Sequence, residues 1–230
     1  MFLKPVRSDK NVICFHMKET GVIKFNCNWI KEDPLDDDLL IDLNLWRDKM
    51  FDLGFIGVNE EGIGYGNMSI RFRENQFIIT GSATGKLKKL TNQHYTKVVD
   101  YELGKNSLTA VGPIIASSES LTHAVIYKYN KNINAIIHIH NKGLWKNLMN
   151  KIPTTNNNVE YGTPAMAEEI VRLLEETNLK NHKILVMAGH EDGIVSFGKD
   201  LTEAGNVLLK MYRDLTPTLP NEGRTNTQAK

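Results

Sequence analysis

Residues 133–141 read I-N-A-I-I-H-I-H-N, an apolar, β-favouring run that ends in two histidines one residue apart. Side chains at i and i+2 leave a strand from the same surface, so His138 and His140 project side by side. Two imidazoles so placed hold one divalent metal when a third ligand arrives from elsewhere. That requirement ties the strand to a segment distant in sequence, and the rest of the chain is read for a segment able to meet it.

His190 is the candidate. It follows K-I-L-V-M-A (183–188), a buried-strand run, and closes that run through Gly189 as His140 closes its own. If the two strands are neighbours in one sheet, three imidazoles meet at their carboxyl ends, where sites collect in open α/β sheets. His16, His94 and His182 lie in polar or unassigned surroundings and read as surface residues. Upstream of the histidine strand, S-S-E-S (117–120) opens an amphipathic helix running to 129, with the serines placed as N-caps. Glu119 then falls in the first turn. Two readings stand there: a carboxylate complementing the helix dipole, or one tuned by burial and a nearby cation to move a proton. Ser117, Ser118 and the free amides at the helix start suit an anion. His123 shares the face of Glu119 and suits packing or hydrogen bonding better than metal.

The remaining elements build a mixed sheet covered by helices, hairpins in the first half and alternating strands and helices in the second. An edge strand is expected over 21–29. A helix is expected from Pro34, with Asp36, Asp37 and Asp38 in its first turn as dipole complements. Its apolar stripe is Leu35, Leu39, Leu43, Trp46, Met50 and Leu53, stopping at Gly54. The loop G-I-G-Y-G (62–66) leads into a hairpin, 67–72 with 76–80. G-S-A-T-G-K-L-K-K (81–89) fails as a P-loop: its glycines are four apart rather than five, and Leu87 stands where a magnesium-binding hydroxyl belongs. It remains an amide-rich turn able to cradle an anion. Strand, turn and strand follow over 98–111. Helices are expected at 142–150, 163–177 and 201–212, and a strand at 193–197.

At 230 residues the chain supports one sizeable core. We read an extension over 1–33, the main domain over 34–213, and a polar tail over 214–230 expected to be disordered. A net charge of +1 offers no field for nucleic acid or an anionic membrane surface. Cys14 and Cys27 have no metal-binding spacing and suit buried thiols. The first ten residues lack the apolar core of a signal peptide, and no apolar run reaches the length of a membrane span. The expectation is a cytoplasmic protein without nucleic-acid or membrane partners.

Six blocks in order, G-N-M-S-I-R (66–71), I-I-T-G-S (78–82), S-S-E-S-L-T-H (117–123), H-I-H (138–140), Y-G-T-P (161–164) and G-H-E-D-G (189–193), resemble the class II aldolase/adducin family, in particular its sugar-phosphate aldolases and epimerases. The resemblance covers about residues 40–210. It implies an α/β fold, a three-layer α/β/α domain around a central mixed, largely antiparallel sheet. It also implies a homotetramer and a divalent ion, zinc or similar. Carried over by position, His138, His140 and His190 match the metal ligands, and Glu119 the acid/base. Asn67, Thr80, Gly81, Ser117 and Ser118 match the phosphate-binding positions. The sequence departs from the pattern twice: the turn 81–85 is one residue longer, and Glu191 and Asp192 replace glycine and small apolar residues. The implied activity is metal-dependent cleavage of a phosphorylated ketose through a metal-stabilised enediolate, with Glu119 as acid/base. The alternatives are a 4-epimerase or dehydratase acting on a related sugar phosphate, or a non-catalytic adducin-like module.

Overall fold

The computed structural model describes residues 12–15 and 25–216. In chain order the first half comprises β1 (Val12–Phe15), β2 (Asn26–Lys31), a 3-10 turn (Asp37–Leu40), α1 (Ile41–Asp52), β3 (Gly57–Val58), β4 (Gly64–Tyr65), β5 (Asn67–Arg73), β6 (Gln76–Thr80), β7 (Tyr95–Glu102) and β8 (Ser107–Gly112). The second half comprises α2 (Ser120–Tyr129), β9 (Ala135–His140), α3 (Lys142–Leu148), α4 (Pro164–Glu176), α5 (Leu179–His182), β10 (Ile184–Val186), β11 (Gly193–Gly198) and α6 (Leu201–Leu215). Among the described residues nine strands form one sheet in the order β1-β2-β8-β7-β6-β5-β9-β11-β10, while β3 and β4 make a separate ribbon. β2 and β8 run parallel; the other described pairs are antiparallel.

The layers follow from the two-residue period of the strands. Phe77 and Ile79 of β6, Ile136 of β9, and Val195 and Phe197 of β11 pack with α2 and α4 on one face. The intervening Ile78, Ile137, Ile139 and Ile194 pack with α1, α3 and α6 on the other. Covered on both faces, β9 reads as an unbroken apolar run rather than an alternating one. Each of its isoleucines contributes roughly 1.5–3 kcal/mol of burial. His138 shares the face of Ile136 and so looks toward α2.

Caps start the covering helices where their apolar stripes begin. Thr163 Oγ1 accepts the Met166 amide at 3.3 Å, with Pro164 at the first helical position of α4. Asp200 Oδ1 accepts the Glu203 amide at 2.7 Å at the head of α6. Among the described residues no helix is long and apolar enough to cross a membrane.

Several elements differ from their expected places. The strand expected over 21–29 is β2, later in sequence, and it is not the edge: β1 pairs outside it, Phe15 opposite Cys27. The first helix does not start at Pro34. Asp36 is extended, Asp37 and Asp38 sit in a 3-10 turn, and the α-helix begins only at Ile41. A 3-10 turn advances about 3.0 residues per turn rather than 3.6 and so rotates the stripe. Leu40, Leu43, Arg47 and Met50 are buried, whereas Leu39 and Leu53 face outward at 41% and 36% exposure. β7 begins three residues before the expected 98, and α5 was not foreseen. Cys27 is a free, buried thiol whose pKa burial raises to about 12. The side chain of Cys14, His16 and the tail beyond Thr216 lie outside the described residues.

Candidate functional site

β9 delivers His138 and His140, but its neighbour is not the strand that leads to His190. β11 lies between β9 and β10 and runs antiparallel to both. The expectation of adjacent histidine strands is therefore corrected, while its consequence holds. β9 and β10 run in the same direction, so their carboxyl ends share one edge, and the turn from β10 into β11 carries His190 back over β9. Gly193 makes that return feasible: a Cβ there would lie 2.8 Å from His190 Cδ2 and 3.3 Å from His138 Cε1. The ligand-capable atoms of the three histidines all lie within 4.8 Å of one another.

The orientation of the rings is set from behind. His138 Nδ1 donates to the Ile194 carbonyl at 3.2 Å, which leaves its Nε2 lone pair available. His140 Nε2 and His190 Nε2 face each other at 3.0 Å. Two imidazole nitrogens sharing a tetrahedral zinc-like ion at about 2.0–2.1 Å lie about 3.3 Å apart, so the pair needs little movement to take one. Burial, reinforced by His140, His190 and His123, holds His138 well below the ordinary imidazole pKa. Burial lowers His140 to about 4. Both are therefore neutral near pH 7, the protonation state that ligates metal. Tyr161 packs its ring 4.2 Å from that of His190, and Tyr65 lies 5.2 Å from His140.

Glu119 occupies the N-cap position of α2 rather than its first turn. It is buried, Thr122 Oγ1 donates to its Oε2 at 2.9 Å, and its Oε1 lies 3.6 Å from His190 Nε2. The buried carboxylate thus lies beside one of the three imidazoles. His123, on the same face, points elsewhere. Its Nδ1 lies 2.7 Å from Ser69 Oγ, which lies 2.8 Å from Tyr127 Oη. Burial takes its pKa to about 3, and it belongs to the core.

A cavity of about 550 Å3 runs from the imidazoles to the turn after β6, lined by Asn67, Gly81, Ser117, Ser118 and Glu119 among others. Asn67 sits directly across from His138 in the β5–β9 register. Thr80 is not in the lining; its hydroxyl accepts the Met68 amide at 3.2 Å. Gly81 and Ser82 lie at the wall, yet their amides donate to the His94 and Ile115 carbonyls at 2.8 and 2.9 Å. Residues 83–85 continue the wall, with Ala83 in the left-handed region at φ 59°. At the rim, Glu191 is exposed and reaches Lys142 at 3.5 Å, while burial and then Glu191 raise the Asp192 pKa.

Two residues of this neighbourhood escaped the sequence reading. Tyr65 sits in the G-Y-G of the β4 ribbon, where glycines drew the reading toward a loop. Arg47 lies fully buried behind the 81–89 turn, hydrogen-bonded to its carbonyls. A polar residue interrupting an apolar stripe was the available signal, hidden while the stripe was misphased.

The family described as Class II Aldolase and Adducin N-terminal domain matches residues 60–213. An L-fuculose phosphate aldolase from Methanocaldococcus jannaschii is 27% identical over 153 residues, 60% of this chain and 75% of that one. The solved structure of an L-fuculose 1-phosphate aldolase is similar in fold at a TM-score of 0.61 and 18% identity, covering 82% of this chain and 93% of that one. YgbL from Escherichia coli is similar at 0.58 and 17%, covering 81% and 92%. Matched across the strands that carry the imidazoles, the helix that carries Glu119 and the turn that carries His190, this chain belongs to the class II aldolase and adducin family.

Proposed function

We propose that this chain is a metal-dependent lyase that cleaves a phosphorylated ketose, with His138, His140 and His190 holding a divalent ion, most simply zinc, and Glu119 as acid/base. The observation that carries the reading is a cluster of three imidazoles, one of them beside a buried carboxylate, in a cavity also lined by Asn67, Ser117, Ser118 and the turn after β6. The donor set fits a divalent ion: neutral nitrogen ligands, one ring oriented by a backbone carbonyl, and no protein ligand needed beyond three. When bound, such an ion would polarise a substrate carbonyl and stabilise negative charge developing beside it.

The protein's own groups supply the rest. Asn67, Ser117, Ser118 and residues 83–85 of the turn after β6 would anchor the phosphate, so that binding energy from the unreactive end positions the carbons at the other. In cleavage the C3–C4 bond breaks, its electron pair remaining on the C3 side. The C4 hydroxyl passes its proton to Glu119 and becomes the aldehyde carbonyl. Glu119 delivers a proton to C3, completing dihydroxyacetone phosphate. Burial of Glu119 keeps bulk water from competing for that transfer. Tyr161 and Tyr65 brace the rings of His190 and His140. We also read the working enzyme as a cytoplasmic homo-oligomer, a tetramer in keeping with the family resemblance.

The experiment is metal analysis of purified protein, followed by a panel of ketose 1-phosphates assayed with and without chelator. Stoichiometric metal and chelator-sensitive release of aldehyde are expected. Absence of metal, or turnover indifferent to it, overturns the reading. Epimer formation or water loss without cleavage would transfer the same residues to an epimerase or dehydratase.

A further inference from the structure

Arg47 stands in the middle of the buried face of α1, between Leu43 and Met50, at 1% exposure. A guanidinium in such a place must find partners for its donors. Its partners are three backbone carbonyls of one turn: Nη1 donates to Lys88 at 2.7 Å, and Nη2 to Thr84 and Gly85 at 3.2 Å each. The guanidinium also lies 4.7 Å from the Phe51 ring centre. Of the nearby carboxylates, Asp48 is engaged by Lys89 rather than by Arg47. The buried cation is thus matched by peptide dipoles and not by a hydrogen-bonded anion.

The peptide group makes this arrangement directional. In a trans peptide the carbonyl and the following N–H point in opposite senses. Holding the Thr84 and Gly85 carbonyls toward α1 therefore turns the Gly85 and Lys86 amides away from it. The opposite side of the same turn is pressed against the β3–β4 ribbon. A Cβ on Gly85 would lie 2.5 Å from the Gly57 carbonyl oxygen and 2.8 Å from the Tyr65 amide nitrogen. Ser82, Ala83, Thr84 and Gly85 line the cavity between these two constraints.

We propose that Arg47 is a positioning residue for anion binding: it holds the turn after β6 in the conformation that offers its amides to the cavity, and its buried charge, acting through the peptides it polarises, favours a phosphate there. Arg47 lies on the first helix, before residues 60–213 that match the family. The inference rests on the reading that this end of the cavity takes the phosphate.

The test compares wild-type protein with Arg47→Met and Arg47→Lys, both loaded with metal, for inorganic phosphate affinity by calorimetry at fixed ionic strength. Arg47→Met is expected to weaken phosphate about tenfold or more. Metal content should stay stoichiometric, and KM should rise much more than kcat falls. Arg47→Lys, a point charge unable to hold three carbonyls, is expected to recover part of the loss and provides the comparison if the Met variant does not fold. Unchanged phosphate affinity in a folded Met or Lys variant overturns the role of Arg47. Wild-type protein that binds metal but not phosphate overturns the phosphate reading itself, and this inference with it.

Discussion

At one end of the cavity three imidazoles and a carboxylate project from β9, the β10–β11 turn and the head of α2. At the other, the wall is the turn after β6, its carbonyls held by a buried arginine on one side and Gly85 pressed against the β3–β4 ribbon on the other. The first end depends on which side chains are present, and the second on how the main chain is bent. A histidine keeps its chemistry in any fold that brings it into place. An amide is available to a ligand only if tertiary contacts keep it from its own carbonyl partners, as those of Gly81 and Ser82 are not.

The difference can be broken most severely at the imidazole end. His140→Ala should abolish stoichiometric metal and lower turnover by about a thousandfold or more, read by metal analysis and steady-state kinetics. Full metal occupancy in that variant would falsify the triad. Glu119→Gln should keep metal and phosphate binding while reducing kcat by about 10^2–10^4. A fall in metal content instead would make Glu119 a ligand rather than an acid/base. At the amide end, Gly85→Ala forces a methyl into the Gly57 and Tyr65 backbone. About 1–3 kcal/mol of stability should be lost in urea denaturation, together with phosphate affinity, while metal content is retained. Equal loss of metal would mean that the two ends are not separable.

A smaller effect concerns protons. In metal-free protein His123 and His140 have folded pKa values of about 3 and 4, below an ordinary imidazole value near 6.5. The unfolded chain therefore takes up protons first as pH falls. Stability should be intact above about pH 6.5 and decline below it by about 1.4 kcal/mol per pH unit for each histidine, until the folded values are reached. Urea titrations at pH 7 and pH 5 measure the slope, and His123→Gln should remove one histidine's share of it. An unchanged slope would place His123 in contact with water. Smallest of all, Ser118→Ala should weaken phosphate a few-fold without affecting kcat, as one neutral hydrogen bond contributes about 1 kcal/mol.

Legibility followed the same division. Burial on both faces of β9 was plain in its unbroken apolar run, and the i, i+2 spacing put two histidines on one surface. Strand and helix periods placed most elements within a few residues. The errors arose where local signals were overridden. The 3-10 turn at Asp37–Leu40 rotated the first helix and hid Arg47, and β1 displaced β2 from the edge. The insertion of β11 between β9 and β10 was invisible because sheet order is set by contacts distant in sequence.

The amino-acid sequence by itself determined the chemical inventory: two imidazoles side by side, a third closing a buried strand, a carboxylate at a helix start, and a glycine-punctuated turn. Those properties are local, resting on side-chain identity and on the periods of strand and helix. The tertiary structure decided which of these groups share a cavity, that Thr80 is turned from it, and which amides of the 81–89 turn are already spent. These outcomes depend on hydrogen bonds and close contacts between segments that meet only when the sheet assembles, and no local period encodes them.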